Sequence, residues 1–141
     1  LEPWRFIVLE RAALVRLAAA VGARAAETGA EPEKMQAQFG TAHLAVAVVA
    51  APKPSEKIPE VEQAMSAGAV CLALLNAALA SGWGADWLTG WAAHDPVFCQ
   101  THLGRKEGGT MAGVIHIGSE TATPPERPRP DIAAITTWVG A

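Results

Sequence analysis

Residues 59–81 constrain the fold of this chain more than any other segment, because they predict a long helix that is apolar on nearly every face. From Met65 the sequence reads MSAGAVCLALLNAALASGWG, and Asn76 is the one large polar residue inside this run. About 20 apolar residues are enough to cross a bilayer. Here, however, Ala and Gly supply much of the apolar character, and Ser66, Asn76 and Ser81 interrupt it.

A helix that is apolar all round is otherwise buried on all sides, in a large core or at a subunit interface. A domain of 141 residues cannot easily surround one helix with its own chain. We therefore predict that this helix lies at an interface between subunits, with a membrane-associated helix as the alternative.

The composition fits a single domain over residues 1–141. Half of the residues are apolar (50%) and 18% are charged, which excludes disorder as the dominant state. The net charge is −3 and no basic stripe is present, which argues against a nucleic-acid partner. Cys71 and Cys99 lie in unrelated contexts, which indicates a reducing, cytoplasmic setting without a disulfide framework.

Strands and helices are predicted to alternate along the chain. The predicted strands are 6–9, 43–50, 85–88 and 112–117, and the predicted helices are 10–28, 31–39, 59–81 and a segment that begins at Asp95-Pro96 and stops at Gly104. Residues 51–59 and 89–93 predict loops, 119–130 a proline-rich arm, and 132–139 an apolar tail. This order predicts an α/β or α+β fold with a mixed sheet. We expect the arm and tail, residues 119–141, to dock on another subunit.

The segment HDPVFCQTH contains residue types that can bind a metal ion. Cys99 and His102 share one face of a predicted helix that begins just after His94 and Asp95, but a zinc site needs two further ligands from elsewhere. We interpret Cys99 as a small core thiol and His102 as a surface residue, and we predict no metal.

Hydrolase and dinucleotide-loop patterns are also missing from the sequence. Ser66 and Ser81 lack a nucleophile-elbow context, and neither His43 nor His116 has an evident acidic partner nearby in sequence. Both histidines are predicted to be ordinary strand residues. The glycines of GWGADW, residues 82–87, end a helix, whereas the dinucleotide fingerprint must begin one.

Two short motifs point to ligand binding. WLTGW, residues 87–91, puts a hydroxyl and an exposed backbone N–H at the end of a strand, where α/β ligand sites lie, and Gly90 permits close approach of a flat ligand. ERPRP, residues 126–130, displays Arg127 and Arg129 on the same side of a stiff extended segment, where both can bind one anion such as a phosphate. An ordinary turn and a solvated charged arm are the respective alternatives.

Together these stretches resemble the FMN-dependent nitroreductase superfamily, particularly its minimal single-domain bacterial members. The resemblance rests on EPWRFIVL, EQAMSAGAVCLALLNAALASGWGADWLTG, HDPVF, GVIHIGSE and RPRPDIAAITTWV, in the order that the family has them. It implies an α+β sandwich whose mixed sheet is flanked by helices, in an intertwined homodimer. FMN would sit in clefts at the subunit interface, with NAD(P)H as electron donor and nitroaromatics, quinones or similar compounds as acceptors in a ping-pong scheme.

The resemblance also implies roles for particular residues. Thr89 and Gly90 match the segment that meets the isoalloxazine edge, and Trp87 and Leu88 belong to the same wall. Arg127 and Arg129 match a basic pair on the FMN phosphate. Pro3, Trp4 and Arg5 would lie in the loop before the first strand, close to the flavin pocket. No side chain is needed as a catalytic acid or base, because solvent can supply the proton.

Family members begin with a helix and an Arg-Arg-Ser-type motif that grips the FMN phosphate, and this segment is expected to precede Leu1. The leading hypothesis is an FMN-dependent NAD(P)H oxidoreductase. The alternative is a non-catalytic flavin-binding or dimerisation module of the same fold.

Overall fold

The computed structural model describes residues 1–105 and 108–140, which build an α+β fold. Four strands form one sheet in the order β1-β2-β4-β3, with β1 at Trp4–Glu10, β2 at Leu44–Ala50, β3 at Gly84–Leu88 and β4 at Thr110–Gly118. The helices are α1 at Arg11–Thr28, α2 at Glu33–Thr41, α3 at Glu60–Ala80, α4 at Trp91–His94 and α5 at Pro96–Leu103. The predicted class and the predicted order of elements are both confirmed.

All three strand pairs are antiparallel, so the described sheet is not the mixed sheet that the sequence led us to expect. In the first pair, Glu10 at the end of β1 lies opposite Leu44 at the start of β2, so β2 begins at the end of the sheet where β1 finished. A parallel neighbour would need a connection that crosses back to the other end of the sheet.

The sheet is covered by helices on both faces, but unequally. On one face α1, α2, α4 and α5 bury the larger core, which includes Leu14, Phe39 and Phe98. On the other face α3 alone packs on the sheet, and Cys71 meets Val48 and Ile115 in a smaller cluster.

One side of α3 stays exposed. Ala67 and Cys71 are 0% exposed, whereas Met65 is 69% and Leu72 50% exposed. By length and composition alone α3 is also long and apolar enough to cross a membrane, and most of its residues are not buried within the chain. The uncovered apolar surface is what a helix at a subunit interface would show.

The edge strand β1 extends this exposed apolar surface. Trp4 packs in the cluster beneath α3, and residues two apart on a strand share a face. Phe6 and Val8 therefore lie on the same face of the sheet as α3, where they are 52% and 61% exposed.

The proline-rich loop that precedes α3 is held by one buried side chain. Gln63 is 2% exposed, and its amide donates to the carbonyl oxygens of Lys53 at 2.9 Å and Ile58 at 3.1 Å. Its oxygen accepts from the Lys53 N–H at 2.8 Å. A loop without regular structure thereby satisfies its inward-facing backbone groups.

Beyond β4 the chain leaves the sheet. All residues from 119 to 140 are exposed, and the apolar tail forms no strand within the described part of the chain. Trp138 is 90% and Val139 94% exposed. Docking of this tail on a second subunit stays a prediction.

Asp95 joins the start of α5 to α1. As the N-cap it accepts from the Phe98 N–H at 2.7 Å, and the Arg24 guanidinium donates to its other oxygen at 3.0 Å. These contacts lower the pKa of Asp95 below its ordinary value of 3.8, with the Phe98 N–H as the largest cause. The predicted roles of Asp95 as N-cap and Pro96 as first helical residue are confirmed.

We expect Asp95→Ala to lower the free energy of unfolding at pH 7 by about 1 kcal/mol, because the cap is lost. Asp95→Asn, which can still cap, should cost less. A carboxylate with a lowered pKa contributes stability that is complete above pH 3.8 and is lost as the pH falls through the lowered value. Urea unfolding followed by circular dichroism should therefore show the difference between wild type and Asp95→Asn shrinking in acid. A difference that is constant with pH would contradict the ion-pair contribution.

Candidate functional site

A cavity of about 500 Å³ lies where β3 ends, between α2 and the start of α4. Its volume is in the range of small-molecule sites. The lining residues come from the segment around α2 and from the first residues after β3: Glu31, Glu33, Lys34, Met35, Gln38, Thr89, Gly90 and Trp91. The Thr-Gly pair predicted to bind a ligand is thus part of a cavity wall.

Gly90 supplies a free backbone donor to this wall. Its backbone is extended, with φ at −174°, and its N–H finds no acceptor among the described residues. A Cβ at this position would overlap the Met35 Cε methyl, the end of a flexible side chain. The missing side chain therefore makes room for Met35, so that α2 packs closely against the residues that follow β3.

A single helical turn fixes the position of Gly90. The Gly90 carbonyl accepts from the Ala93 N–H at 3.0 Å, and the Trp91 carbonyl accepts from the Asp95 N–H at 2.9 Å. The prediction that residues 89–93 form a loop was therefore wrong from Trp91 onward, because these two bonds close the turn of α4.

Trp91 ties the two sides of the cavity together. Its indole N–H donates to the Glu31 carbonyl at 3.2 Å, which joins α4 to the segment that leads into α2. Its ring meets the edge of Phe98, with centroids 6.5 Å apart. The cavity wall is thereby anchored to the larger core.

Trp87 and Leu88 precede the Thr-Gly pair on β3. Trp87 is 37% exposed, and its indole lies against Gly113 of β4, where a Cβ would overlap the ring. Leu88 is half-buried and pairs with Val114. The two residues belong to the strand that leads to the cavity, and neither lines it.

Three polar residues, Gln38, His116 and Asp86, form an array beside the cavity. The side-chain amide of Gln38 is 3.1 Å from Nε2 of His116, and Asp86 is the cross-strand partner of His116. Burial lowers the pKa of His116 below 6.5, and the charge of Asp86 opposes this shift without cancelling it. His116 is therefore neutral at pH 7. No acidic partner is evident near His116 in the sequence, and it is the register of β3 on β4 that brings Asp86 opposite it.

The two cysteine thiols are structural and not reactive. Cys99 is buried and donates to the Ala92 and Ala93 carbonyls at 3.3 Å and 3.2 Å. Burial raises the pKa of both Cys71 and Cys99, so neither is a reactive thiolate at neutral pH. Cys99 is the core thiol that the sequence predicted. No group of three metal-ligating side chains occurs among residues 1–105 and 108–140.

The remaining predicted site residues lie away from the cavity. Pro3 precedes β1, and Trp4 and Arg5 begin it, on the opposite edge of the sheet from β3. The prediction that Trp4 and Arg5 lie in a loop before the first strand was therefore wrong, because both pair with β2. Arg127 and Arg129 lie on the exposed arm, and Arg129 pairs with Glu126 at 2.8 Å. The structure therefore brings together Thr89 and Gly90, and it does not bring the other predicted residues to them within one chain. Their assignment to a flavin site stays a prediction.

Sequence reasoning missed the contribution of α2. Helix α2 was predicted, but nothing in its sequence shows that Met35 would reach Gly90 or that Gln38 would reach His116. These contacts join residues about 55 and 78 positions apart. They depend on how α2 packs over the sheet.

Comparison with known proteins identifies the family. The model of the nitroreductase family matches residues 1–119. A curated protein of Escherichia coli K12 that is named as an NAD(P)H nitroreductase, YdjA, is 30% identical over 122 residues, which cover 84% of this chain and 66% of YdjA. The chain thus spans 66% of the length of the curated relatives that it matches.

Solved structures share the fold at lower identity. The nitroreductase-like family protein of Bacillus cereus superimposes with a TM-score of 0.76 at 20% identity, over 98% of this chain and 74% of that one. A protein of Desulfovibrio desulfuricans described as a nitroreductase in complex with FMN gives a TM-score of 0.72 at 19% identity, over 99% of this chain and 73% of that one. With the family model matching most of its length, this chain belongs to the nitroreductase family.

Proposed function

We propose that this chain forms the core of an FMN-dependent NAD(P)H oxidoreductase of nitroreductase type, which reduces nitroaromatics, quinones or similar acceptors by a ping-pong scheme. The observation that carries the proposal is the free Gly90 N–H at the wall of a cavity of about 500 Å³, in a member of this family. A structural neighbour described as a nitroreductase was solved with FMN, which supports the choice of cofactor.

The residues around the cavity fit one edge of a flavin. The ring nitrogen and carbonyl oxygen at that edge accept hydrogen bonds, and the Gly90 N–H is a backbone donor without a partner among the described residues. The Thr89 hydroxyl lies beside it and is exposed. When bound, FMN would supply the hydride chemistry that links NAD(P)H to the acceptor.

The proposed role of the protein's own residues is to bind and orient the flavin and to exclude water from it. Gly90 would hold the ring edge through its N–H, while Met35 and Trp91 would form an apolar wall that limits water beside the ring. Arg127 and Arg129 are proposed to bind the FMN phosphate, since guanidinium groups suit phosphate geometry. Arg129 would exchange its present partner, Glu126, for the phosphate.

We also propose that the protein works as a cytoplasmic homodimer. The exposed side of α3, with Met65 and Leu72, and the neighbouring Phe6 and Val8 of β1 form an apolar surface that a second copy of the chain could cover. The arm and tail, residues 119–141, would then reach the second subunit, which gives the exposed Trp138 an apolar environment.

The function is tested by adding FMN to the purified protein, removing free flavin, and adding NADH or NADPH without oxygen. We expect a yellow protein whose visible absorbance is bleached by the nicotinamide and restored by a quinone. Bound FMN that NAD(P)H fails to bleach would indicate the non-catalytic module instead. A protein that takes up no FMN would contradict both functions for this chain.

The arginine pair is tested by comparing FMN with riboflavin, which lacks the phosphate. We expect Arg127→Ala combined with Arg129→Ala to weaken FMN binding at least about tenfold, because charge-assisted hydrogen bonds are lost, and to leave riboflavin binding unchanged. Arg16→Ala, an exposed arginine on α1, is the matched control and should change neither affinity. Equal loss for both flavins would show that the pair acts through the structure of the arm, and not on the phosphate.

A further inference from the structure

The pair formed by Gln38 and His116 connects a titratable group to the cavity. Gln38 lines the cavity, and its carboxamide nitrogen lies 3.1 Å from Nε2 of His116 on β4. In this orientation the amide nitrogen donates, so Nε2 of His116 is the acceptor and the ring proton is on Nδ1. The carboxamide oxygen of Gln38 has no donor among the side-chain hydrogen bonds of the described residues.

We propose that His116 is a positioning residue that sets the hydrogen-bonding character of the cavity through Gln38. With His116 neutral, Gln38 presents its oxygen to the cavity as an acceptor, which suits the carboxamide N–H of a nicotinamide. With His116 protonated, Nε2 becomes a donor, so the carboxamide turns and presents its N–H₂ group, which suits the oxygen of a nitro group or quinone. This inference rests on the proposed function.

The surroundings of His116 keep the neutral form dominant at pH 7. Burial lowers its pKa below 6.5 against the opposing charge of Asp86 on β3. The Phe39 ring of α2 lies beside the imidazole, with centroids 6.1 Å apart. The cross-strand residue on β2 is Ala45, which carries no charge.

The other charged groups near Gln38 and His116 come from α2, the segment before it and α4. Glu31, which precedes α2, and Glu33 and Lys34 of α2 line the cavity, and α4 ends at the exposed His94. Protonation of His116 therefore occurs below pH 6.5, and it changes the orientation of one amide without adding charge to the cavity wall itself.

The cavity of a ping-pong enzyme must receive both kinds of ligand in turn. The nicotinamide donor brings an amide N–H₂ group, whereas the oxidising substrate brings oxygens that only accept hydrogen bonds. A fixed acceptor would favour one ligand over the other at every pH. A carboxamide that can turn, held by a histidine whose pKa is lowered below 6.5 by burial, lets pH shift the balance between them.

The first test is independent of flavin and turnover. In the flavin-free full chain labelled with ¹⁵N, NMR should show Nε2 of His116 unprotonated above pH 6.5, and the side-chain amide of Gln38 should shift with the same midpoint as His116. His116→Phe should abolish the amide shift, and His102→Phe, an exposed histidine, should leave it. A proton on Nε2 at neutral pH, or a Gln38 amide whose chemical shift does not change as His116 titrates, would overturn the proposal.

The second test measures KM on the flavin-loaded protein between about pH 5 and 8. In the wild type, KM for NADH should rise about three- to tenfold as His116 is protonated, while KM for para-benzoquinone falls. In His116→Phe both pH profiles should lose this opposite movement, and Gln38→Met provides a second variant if the first is unstable. Parallel movement of the two KM values in the wild type would overturn the proposal. If NADH fails to reduce the flavin-loaded protein, the proposed function is contradicted. The NMR experiment alone then decides whether His116 sets the orientation of Gln38.

Discussion

The contact of α3 with the sheet is the constraint on which the rest of the structure depends. A helix that is apolar all round packs one side, at Ala67 and Cys71, against Val48 and Ile115, while Leu72 on the opposite side remains half exposed. Exposed apolar surface costs roughly 25 cal/mol per Å², so a helix of this composition calls for a second covering partner. A second copy that presents the same surface would meet it through a two-fold axis, which is the commonest way that soluble chains satisfy such a face.

The same sheet positions the cavity. On the face opposite α3, α2 and the single turn of α4 close over the end of β3, so that Gly90 presents its N–H to the cavity and Met35 takes the space that a side chain would fill. The larger core holds this wall through Trp91 and Phe98. Rigid core elements thus fix the position of Gly90, the donor proposed for the flavin ring, whereas the arginines proposed for the phosphate lie on an exposed arm.

Local chemistry made much of this fold predictable. The β-branched run of β2, the Asp95-Pro96 start of α5 and the apolar run of α3 are each determined by nearby residues, and each was placed within a few positions of its observed bounds. Contacts between distant segments could not be predicted in this way. The antiparallel sheet, the turn of α4, and the meeting of Gln38 and Asp86 with His116 depend on strand register and helix packing, which leave no periodic pattern in the sequence. Thr89 and Gly90 were found because a strand end followed by Thr-Gly is itself a local pattern.

The central claim is that the exposed side of α3 is a subunit interface, and the molecular mass of the full chain in solution tests it most directly. Leu72→Asp on α3 and Val15→Asp on α1 are matched, since both side chains are 50% exposed in one chain. In sedimentation equilibrium the account predicts dimers for the wild type and for Val15→Asp, and a monomer for Leu72→Asp, because a buried carboxylate at the interface would lack a partner. A monomeric wild type, or a Leu72→Asp dimer as tight as the wild type, would contradict it.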